Sequence, residues 1–363
     1  MDTVTHVLFG SLTARVIAPH ETKPGYSFKK NDPLIIAAFA SAFPDIDYFS
    51  FWINPLLFIA EWHRSITHSL FMVPLWGVVL TVFFLSVLPR LRGCAKMVFL
   101  YSVTGLVSHI FLDILTVYGT EIFYPLSDKL ISLATTFVID PYITIIIAIT
   151  LYISLKMRSR STAVTGIVVV MIYLSFQWQL KQNAIEIAEG HGSNKLNTDS
   201  DIIVLPQPFS PYHWRVIVQN NDEYSTALLD ILGISERIKT GHEKNSWLGM
   251  ISAYHSPAHL YWEHYTLFGV DPDKSSLINE VWSHDDFSLF RQFAVFPVLY
   301  RVDTINEGVC VWFTDLRYFI STMLPAFRYG MCRDKDNSNW QLYRLRRFTE
   351  NNRQLINPMR LRH

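Results

Sequence analysis

Histidine and aspartate side chains recur at the ends of apolar segments in the first third of the chain. Ionisable groups are costly inside a membrane, so those found in apolar segments are candidates for function. Imidazole and carboxylate groups together favour zinc, manganese or ferrous iron over calcium or magnesium. We therefore expect a divalent transition metal, preferably zinc. The candidate metal ligands are His6, Asp45, Asp47, His68, His109 and Asp113.

The spacing of two of these residues favours a shared ion. His109 and Asp113 are four positions apart, which places them on one face of a helix. Gly105, one turn earlier on that face, allows a second helix to approach closely. Thr116 follows Asp113 by three positions and is expected to hydrogen-bond its carboxylate.

Two motifs supply the other candidates. In FPDID, the proline disfavours a helix before it, so a turn would leave the carboxylates of Asp45 and Asp47 available. In HRSITHSL, His63 and His68 are about 140° apart on an ideal helix. They cannot both face one ion unless the helix begins near Ser65. The candidates outnumber the ligands of a single catalytic zinc, which leaves room for two ions.

This set of residues suits hydrolysis. Two ions would clamp the attacking and leaving oxygens of a displacement, and metal-bound water would be the nucleophile. We assign Arg64 and His63 as the candidate catalytic residues. Because a guanidinium is always charged and fork-shaped, Arg64 is suited to hold a phosphate oxygen. An interfacial anchor, or a salt bridge to Asp45, is an equally open role for this arginine.

Long apolar segments must position these residues. Apolar residues make up 50% of the 363 residues, and mean hydropathy is +0.19. They concentrate before residue 180, where six segments are candidate membrane passes. The first two are short and would form a helical hairpin or, alternatively, two amphipathic surface helices. The segments are 4–18, 33–43, 66–89, 95–117, 137–155 and 162–180.

Basic residues orient this bundle. Ten lysines and arginines lie in 15–30, 90–96 and 156–160, whereas the alternate connections contain only Arg64 and Lys129. Cytoplasmic loops carry the excess of basic residues. This distribution predicts six passes, with the N-terminus and the C-terminal half outside. Every candidate ligand then falls at or just below the outer face, although none of them was used in the count.

Four motifs in order resemble a known family: MDxxTH, FPDID, HRSITHSL and SHIFLDILTVYGTEIFYPLS. They are similar to those of the YdjM-like family of bacterial inner-membrane, metal-dependent hydrolases. Asp140 and Pro141 also fit the pattern, and the resemblance covers roughly residues 1–180. That family is in turn similar to zinc-dependent phospholipase C and P1 nuclease, which are helical proteins with His/Asp zinc clusters.

The resemblance implies hydrolysis of a phosphoester, and the predicted topology suggests a membrane lipid or lipid-linked phosphate at the periplasmic surface. The direct ligands it implies are His6, Asp47, His68, His109 and Asp113. Asp45 and His63 would be ligands or would support the ligands. The later His-rich motif of the phospholipase C site has no counterpart between residues 118 and 180, which argues against a third ion.

The second half of the chain has ordinary globular composition. Residues 181–200 predict a linker between the transmembrane domain (1–180) and a soluble α+β or β-rich domain (201–363). A helix is expected at 277–293. Strands are predicted at 202–205, 213–219, 224–230, 296–302, 309–315 and 327–332, the second and third forming a hairpin.

This domain also contains a group of histidines and a pair of cysteines. His255, His259, Glu263 and His264 form a second cluster, for which a surface loop is favoured over a metal site. Cys310 and Cys332 fall in neighbouring strands on the outer side, where a disulfide could persist.

The fold class expected is mainly α: a polytopic transmembrane bundle followed by a smaller soluble domain. Net charge is +0, so bulk charge gives no argument for nucleic acid. A metal-dependent hydrolase is the first functional prediction. A transporter or proton-coupled carrier would need polar groups nearer the cytoplasm, where Ser86, Ser154 and Thr165 are poor relay groups. A structural or assembly protein with a metal clip is the third alternative.

Overall fold

The structure is a computed structural model, and it describes residues 1–18, 28–192, 201–238, 247–305, 308–334 and 339–357. The chain divides into two compact units. The N-terminal unit comprises Met1–Phe49 and Trp62–Gln179, and the C-terminal unit comprises Ser50–Glu61 and Leu180–His363. Lys23 and residues 193–200 of the expected linker lie outside the described residues.

Helices dominate the first half of the chain. The described helices are α1 (Thr3–Ile17), α2 (Asp32–Ala42), α3 (Pro55–Leu57), α4 (Val73–Val87), α5 (Ala95–Ile114), α6 (Pro141–Met157), α7 (Arg160–Gly192), α8 (Trp247–Ser252), α9 (Pro272–Ser283) and α10 (Ser288–Phe293). Tighter 3-10 turns at Phe43–Trp52, Ile66–His68 and Pro89–Cys94 connect several of them.

Three described helical stretches are long and apolar enough to cross a membrane: Asp32–Trp52, Pro89–Ile114 and Arg160–His191. A fourth is added if Pro55–His68 and Val73–Val87, which meet at a bend of 75°, form one broken span. The six expected passes are not reached, because Thr3–Ile17 and Pro141–Met157 have only 15 and 17 residues. A perpendicular crossing needs about 20 residues.

Small residues bring α2 close to both α1 and α5. A Cβ atom on Gly105 would lie 2.7 Å from Ala40 Cβ, and one on Gly10 would lie 2.6 Å from Ser41 Cβ. Glycine at these two positions therefore permits direct helix contact. Ser41 Oγ also donates to the carbonyl oxygen of His6 at 2.7 Å. Gly105 thus allows the close approach that the sequence predicted.

The C-terminal unit contains two antiparallel sheets, with strand orders β1-β2-β3-β4 and β5-β6-β7-β8-β9. The strands are β1 (Asp201–Pro206), β2 (His213–Asn220), β3 (Glu223–Asp230), β4 (Trp262–Thr266), β5 (Pro297–Ile305), β6 (Gly308–Asp315), β7 (Tyr329–Arg333), β8 (Gln341–Leu345) and β9 (Arg353–Leu355). Cys310 of β6 is directly opposite Cys332 of β7, and the two form a disulfide.

Side chains alternate across the first sheet, so its two faces differ. Trp214 and Val216 of β2 pack with Leu180 and Ala184 from the end of α7 in one buried cluster. Arg215 of β2 therefore projects from the opposite face of the sheet.

Six of the strands were predicted and three were missed: β4, β8 and β9. The surface-loop interpretation is wrong for Glu263 and His264, which lie in β4. The expected helix over 277–293 is wrong in its middle, because His284 is extended and its Nδ1 accepts from the backbone N–H of Asp286. The expected linker is helical over its first part, since α7 continues to Gly192.

Candidate metal centre

The carboxylate of Asp113 lies among buried imidazoles. Asp113 and His109 share one face of α5, and His68 ends the 3-10 turn before α4. Asp113 Oδ2 lies 3.3 Å from the Nε2 atoms of both histidines, and those two nitrogens are 3.0 Å apart. The three side chains are at most 1% exposed. The spacing of His109 and Asp113 therefore brings both residues to the same point.

Contacts on the far side of each ring indicate which nitrogen carries the proton. His109 Nδ1 lies 2.6 Å from the backbone oxygen of Ser41, which can only accept, so Nδ1 donates. The Thr67 hydroxyl donates to Asp47 Oδ2 at 3.4 Å and therefore accepts from His68 Nδ1 at 2.9 Å. In neutral rings, both Nε2 atoms then present a lone pair.

Three electron-pair donors thus face one another: the two Nε2 atoms and Asp113 Oδ2. This oxygen accepts no hydrogen bond from any described residue. Such an arrangement is repulsive unless a cation lies among the donors. Tetrahedral zinc, about 2.0–2.1 Å from each ligand, separates its ligands by roughly 3.3 Å. Donor types and spacing therefore fit a divalent transition metal.

His6, Asp45 and His109 form a second group, whose donor atoms lie within 4.8 Å of one another. The His6 ring stacks on His109 at a centroid distance of 3.7 Å, and its Nδ1 has no hydrogen-bond partner among the described residues. Asp45 Oδ1 lies 3.7 Å from His109 Nε2. Because Ser41 engages its Nδ1, His109 has one nitrogen left for an ion, so the groups compete for it.

The other oxygen of Asp113 is surrounded by nitrogen atoms. Oδ1 lies 3.0 Å from Arg64 Nη2 and 3.2 Å from His6 Nε2, and the amino group of Met1 also contacts it. Arg64 has a left-handed backbone conformation with φ of 62° and is 4% exposed. The Asp113 carboxylate is therefore held through Oδ1, and Oδ2 stays directed at His68 and His109.

Two contacts expected from the sequence are different in the structure. The salt-bridge partner of Arg64 is Asp113 rather than Asp45, because the turn at 63–65 faces the end of α5. Thr116 Oγ1 donates to the backbone oxygen of Asp113 at 2.9 Å rather than to its carboxylate. It also accepts from Arg64 Nη1 at 2.7 Å. Thr116 thus positions the arginine.

Asp47 lies behind His68. Its Oδ2 accepts from the backbone N–H of Arg64 at 3.1 Å and lies 3.3 Å from His63 Nδ1 and 3.6 Å from His68 Nδ1. Among the described residues, neither potential metal group includes Asp47 or His63. A carboxylate in this position orients a ligand imidazole and raises its basicity. His63 and His68 both turn Nδ1 towards Asp47. The separation of about 140° expected for an ideal helix therefore does not apply to them.

The sequence of this chain is similar to that of known proteins. The model of the YdjM inner membrane protein family matches residues 1–184. The chain belongs to this family. It is also 32% identical over 146 residues to the uncharacterized protein YfhP of Bacillus subtilis (strain 168), a match that covers 40% of this chain and 43% of the relative. The chain thus spans less than half the length of that relative. No solved structure matches the chain.

Sequence reasoning missed two polar residues of this YdjM-family site. Ser41 supplies the carbonyl oxygen that orients His109, and Thr67 supplies the hydroxyl that orients His68. Thr67 lies within the HRSITHSL motif, so adjacency to a candidate ligand was an available signal. Ser41 acts through its backbone, which side-chain chemistry could not reveal.

The remaining candidates lie elsewhere. Asp140 caps α6 by accepting from the backbone N–H groups of Tyr142 and Ile143 at 2.9 and 3.1 Å, and its other oxygen accepts from the Tyr173 hydroxyl at 3.0 Å. In the C-terminal unit, His259 Nδ1 lies 3.2 Å from Glu236. Within the described residues, the possible metal groups all belong to the N-terminal unit.

Proposed function

We propose that this chain is a membrane-bound, metal-dependent hydrolase that acts on a phosphoester at the outer surface of the inner membrane. The observation that carries the proposal is the approach of the Nε2 atoms of His68 and His109 and of Asp113 Oδ2 to 3.0–3.3 Å of one another. Family membership supports the membrane location. The phosphoester is inferred from the distant resemblance of the YdjM-like family, whose motifs this chain carries, to zinc-dependent phospholipase C and P1 nuclease.

His68, His109 and Asp113 would hold the first ion, preferably zinc, with manganese or iron as alternatives. His6 and Asp45 would contribute to a second ion. A bound ion of this kind acidifies a water molecule and polarises a phosphoryl group. Because His109 can serve only one ion through Nε2, the first ion is the essential element of the proposal.

Two further residues would handle the substrate. Arg64 Nε donates to no described residue, so the guanidinium retains a donor for a phosphate oxygen. The His63 side chain is 18% exposed, and its Nδ1 lies 3.3 Å from Asp47. Partial exposure beside an orienting carboxylate suits His63 to exchange a proton with water.

A lipid-linked substrate is supported by the surface beside the site. Ile46, Tyr48 and Phe49 are 48%, 50% and 63% exposed. Ile46 lies between Asp45 and Asp47 in the chain, and Tyr48 and Phe49 follow Asp47. Exposed apolar side chains next to candidate ligands suit a substrate that presents its phosphate at headgroup level and its chains to the membrane.

We further propose a multi-pass topology with a periplasmic C-terminal domain. When all six apolar segments cross the membrane, the excess of basic residues on alternate connections supports this orientation. The disulfide between Cys310 and Cys332 also supports it, because disulfides persist in the periplasm and are rare in the cytosol. Protease added to spheroplasts should digest residues 201–363. Full protection in spheroplasts, followed by digestion after lysis, would place the domain inside.

One observation favours a structural metal instead. His6, His68 and His109 are fully buried and Asp113 is 1% exposed, which suits an ion that clips helices together. A catalytic ion must keep one position open to substrate or water. Among the residues of the two potential metal groups, Asp45 is the accessible one, with a side chain that is 25% exposed.

The decisive experiment combines metal analysis with an activity panel. Full-length protein purified in detergent is analysed for bound metals and assayed on phosphomonoesters and phosphodiesters, both water-soluble and lipid-linked. We expect about one divalent transition-metal ion per chain, preferably zinc. Chelation should abolish hydrolysis, and addition of the metal should restore it. The variant His109→Gln should lose both, and His264→Gln, at an exposed position of β4, should lose neither.

Each result has a defined meaning. Bound metal with no hydrolysis in any assay, together with unfolding on chelation, supports the metal clip and overturns the enzyme. Absence of bound transition metal that cannot be restored by loading removes the metal centre altogether.

A further inference from the structure

A second candidate site lies in the C-terminal unit and includes none of the residues of the metal centre. A cavity of about 680 Å³ is bounded by the face of the first sheet that carries Arg215, by α8 and by the segment 319–325. Its polar lining includes Arg215, Glu263 and Ser321, and its apolar lining includes Leu299 and Phe319. Binding sites for small ligands commonly have volumes of about 300–1,000 Å³ and this mixture of walls.

Arg215 gives the cavity its chemistry. Its side chain is 3% exposed, yet no carboxylate among the described residues forms a salt bridge with it. Nη1 donates to Thr226 Oγ1 at 3.1 Å, and Nη2 donates to the backbone oxygen of Phe319 at 3.3 Å. Nε has no described partner. A guanidinium has five N–H groups, so two neutral acceptors leave it with unused donors and an uncompensated charge.

The other groups near Arg215 do not neutralise it. Glu263, the only carboxylate among the described residues of the lining, is exposed and accepts from the Tyr265 hydroxyl at 3.0 Å. Burial lowers the pKa of Arg215, whereas electrostatic attraction to Tyr254, Tyr265 and Glu263 raises it without a direct ion pair among the described residues. A buried cation without a bound anion is costly. By contrast, Arg317 in the same unit is buried beside Asp315 at 2.9 Å.

We propose that this cavity binds a small molecule or headgroup that carries an oxyanion, a carboxylate or a phosphate, with Arg215 as its counter-ion. The oxyanion accepts from the N–H groups of Arg215 that Thr226 and Phe319 leave unused. The hydroxyl of Ser321 and the apolar side chains of Leu299 and Phe319 contact the remainder of the ligand. The proposal is independent of the metal centre.

The test is binding of named anions to the full-length protein in detergent and in nanodiscs. Sodium acetate, inorganic phosphate and glycerol 1-phosphate are titrated in detergent while the unfolding of the C-terminal unit is followed by tryptophan fluorescence. We expect at least one anion to raise the melting temperature by about 3 °C or more at saturation. Nanodiscs with and without phosphatidylglycerol separate a lipid headgroup from a free anion as the source.

Two variants locate the site. Arg215→Gln should weaken anion binding by about tenfold or more. Ala253→Trp fills the cavity without altering Arg215, so it tests the site even if Arg215→Gln does not fold. The matched control is Arg344→Gln, because Arg344 lies outside the cavity and bonds to Gln354 at 2.7 Å.

Two outcomes overturn the proposal. The first is that neither the three soluble anions nor phosphatidylglycerol stabilises the wild-type protein, with chloride at equal ionic strength as the reference for the soluble anions. The second is that stabilisation persists unchanged in Ala253→Trp or in a folded Arg215→Gln, since binding would then lie elsewhere.

Discussion

Asp113 in the N-terminal unit and Asp315 in the C-terminal unit are both buried carboxylates, but their surroundings differ. Asp315 accepts from the backbone N–H groups of Val295 and Arg317 at 2.7 and 2.8 Å, and from Arg317 Nε at 3.0 Å. Its oxygens are therefore satisfied by groups of its own unit. Asp113 Oδ2, in contrast, faces His68 and His109 and accepts no described hydrogen bond.

The difference separates a structural carboxylate from a candidate ligand. Burial alone does not, because Asp113 and Asp315 are 1% and 0% exposed. What matters is whether the surrounding atoms bring protons or lone pairs. A buried carboxylate oxygen that faces N–H groups is satisfied by hydrogen bonds. One that faces nitrogen lone pairs needs a cation between them.

Matched substitutions of the two aspartates test this contrast most strongly. Asp113→Asn should lower metal affinity by at least about a hundredfold, because it removes a charged ligand. Hydrolysis should fall in parallel. Asp315→Asn should leave metal content unchanged and lower the free energy of unfolding of the C-terminal unit by about 3–5 kcal/mol. Metal analysis and denaturant unfolding measure the two effects.

The comparison of the two aspartates is contradicted if the two variants behave alike. If Asp113→Asn retains its metal and only loses stability, then Asp113 is a structural carboxylate like Asp315.

The second prediction concerns the helix contact that positions the cluster. Gly105→Val places side-chain atoms against Ala37 and Ala40 of α2, so α2 and α5 must separate. Overpacking of this kind costs about 1–3 kcal/mol. It should also displace the Ser41 carbonyl and weaken metal binding. Gly93→Ala is the control, because a Cβ atom there meets nothing within 4 Å. Metal retention in a folded Gly105→Val would show that the contact does not set the geometry of the site.

The sequence predicted the part of the site that one helix determines. Spacing of four residues was sufficient for His109 and Asp113, because α5 is regular through both positions. The segment 63–68 could not be predicted in this way. Arg64 has a positive φ and Ser65 an irregular backbone, so an ideal helix misplaces His63 and His68. Their directions depend on contacts with Asp47, which is distant in the chain.

A similar limit applies to the fold. Strands with alternating apolar residues were predicted, but β4 (WEHYT) and β8 (QLYRL) contain mostly polar or amphipathic residues. The partner strands fix these two strands by backbone hydrogen bonds, which leave no apolar pattern. Helix length was likewise overestimated, because the apolar segment 66–89 begins with a turn and becomes regular helix only at Val73.

The third prediction distinguishes ligands from the residues that orient them. Asp47→Asn should lower metal affinity by only about 10–100-fold, since Asp47 acts on His68 and not on the ion. The decrease should be smaller than for Asp113→Asn. Asp128→Asn, at an exposed position, is the control. A loss equal to that of Asp113→Asn would make Asp47 a direct ligand, as the family resemblance had implied.

The last prediction concerns the C-terminal unit, where a buried histidine already has a hydrogen-bond partner. His213 stacks on Tyr254 at 4.0 Å, and its Nε2 lies 3.1 Å from Ser235 Oγ. Burial lowers the pKa of His213 to about 4, although Asp230 opposes the shift. The unfolded chain takes up this proton near pH 6.5 and the folded chain only near pH 4. Stability is therefore complete above pH 6.5 and falls as pH decreases between these values.

The slope from one such group is at most about 1.4 kcal/mol per pH unit. Urea unfolding of the C-terminal unit, followed by tryptophan fluorescence from pH 7 to pH 4.5, measures it. His213→Asn should flatten this dependence, and His264→Asn, at an exposed position, should leave it unchanged. Subtracting the variant profile from that of the wild type removes the contribution of histidines in the N-terminal unit. An unchanged slope in His213→Asn would mean that another buried group sets the acid sensitivity, and that His213 takes up its proton at the same pH in the folded and unfolded chains.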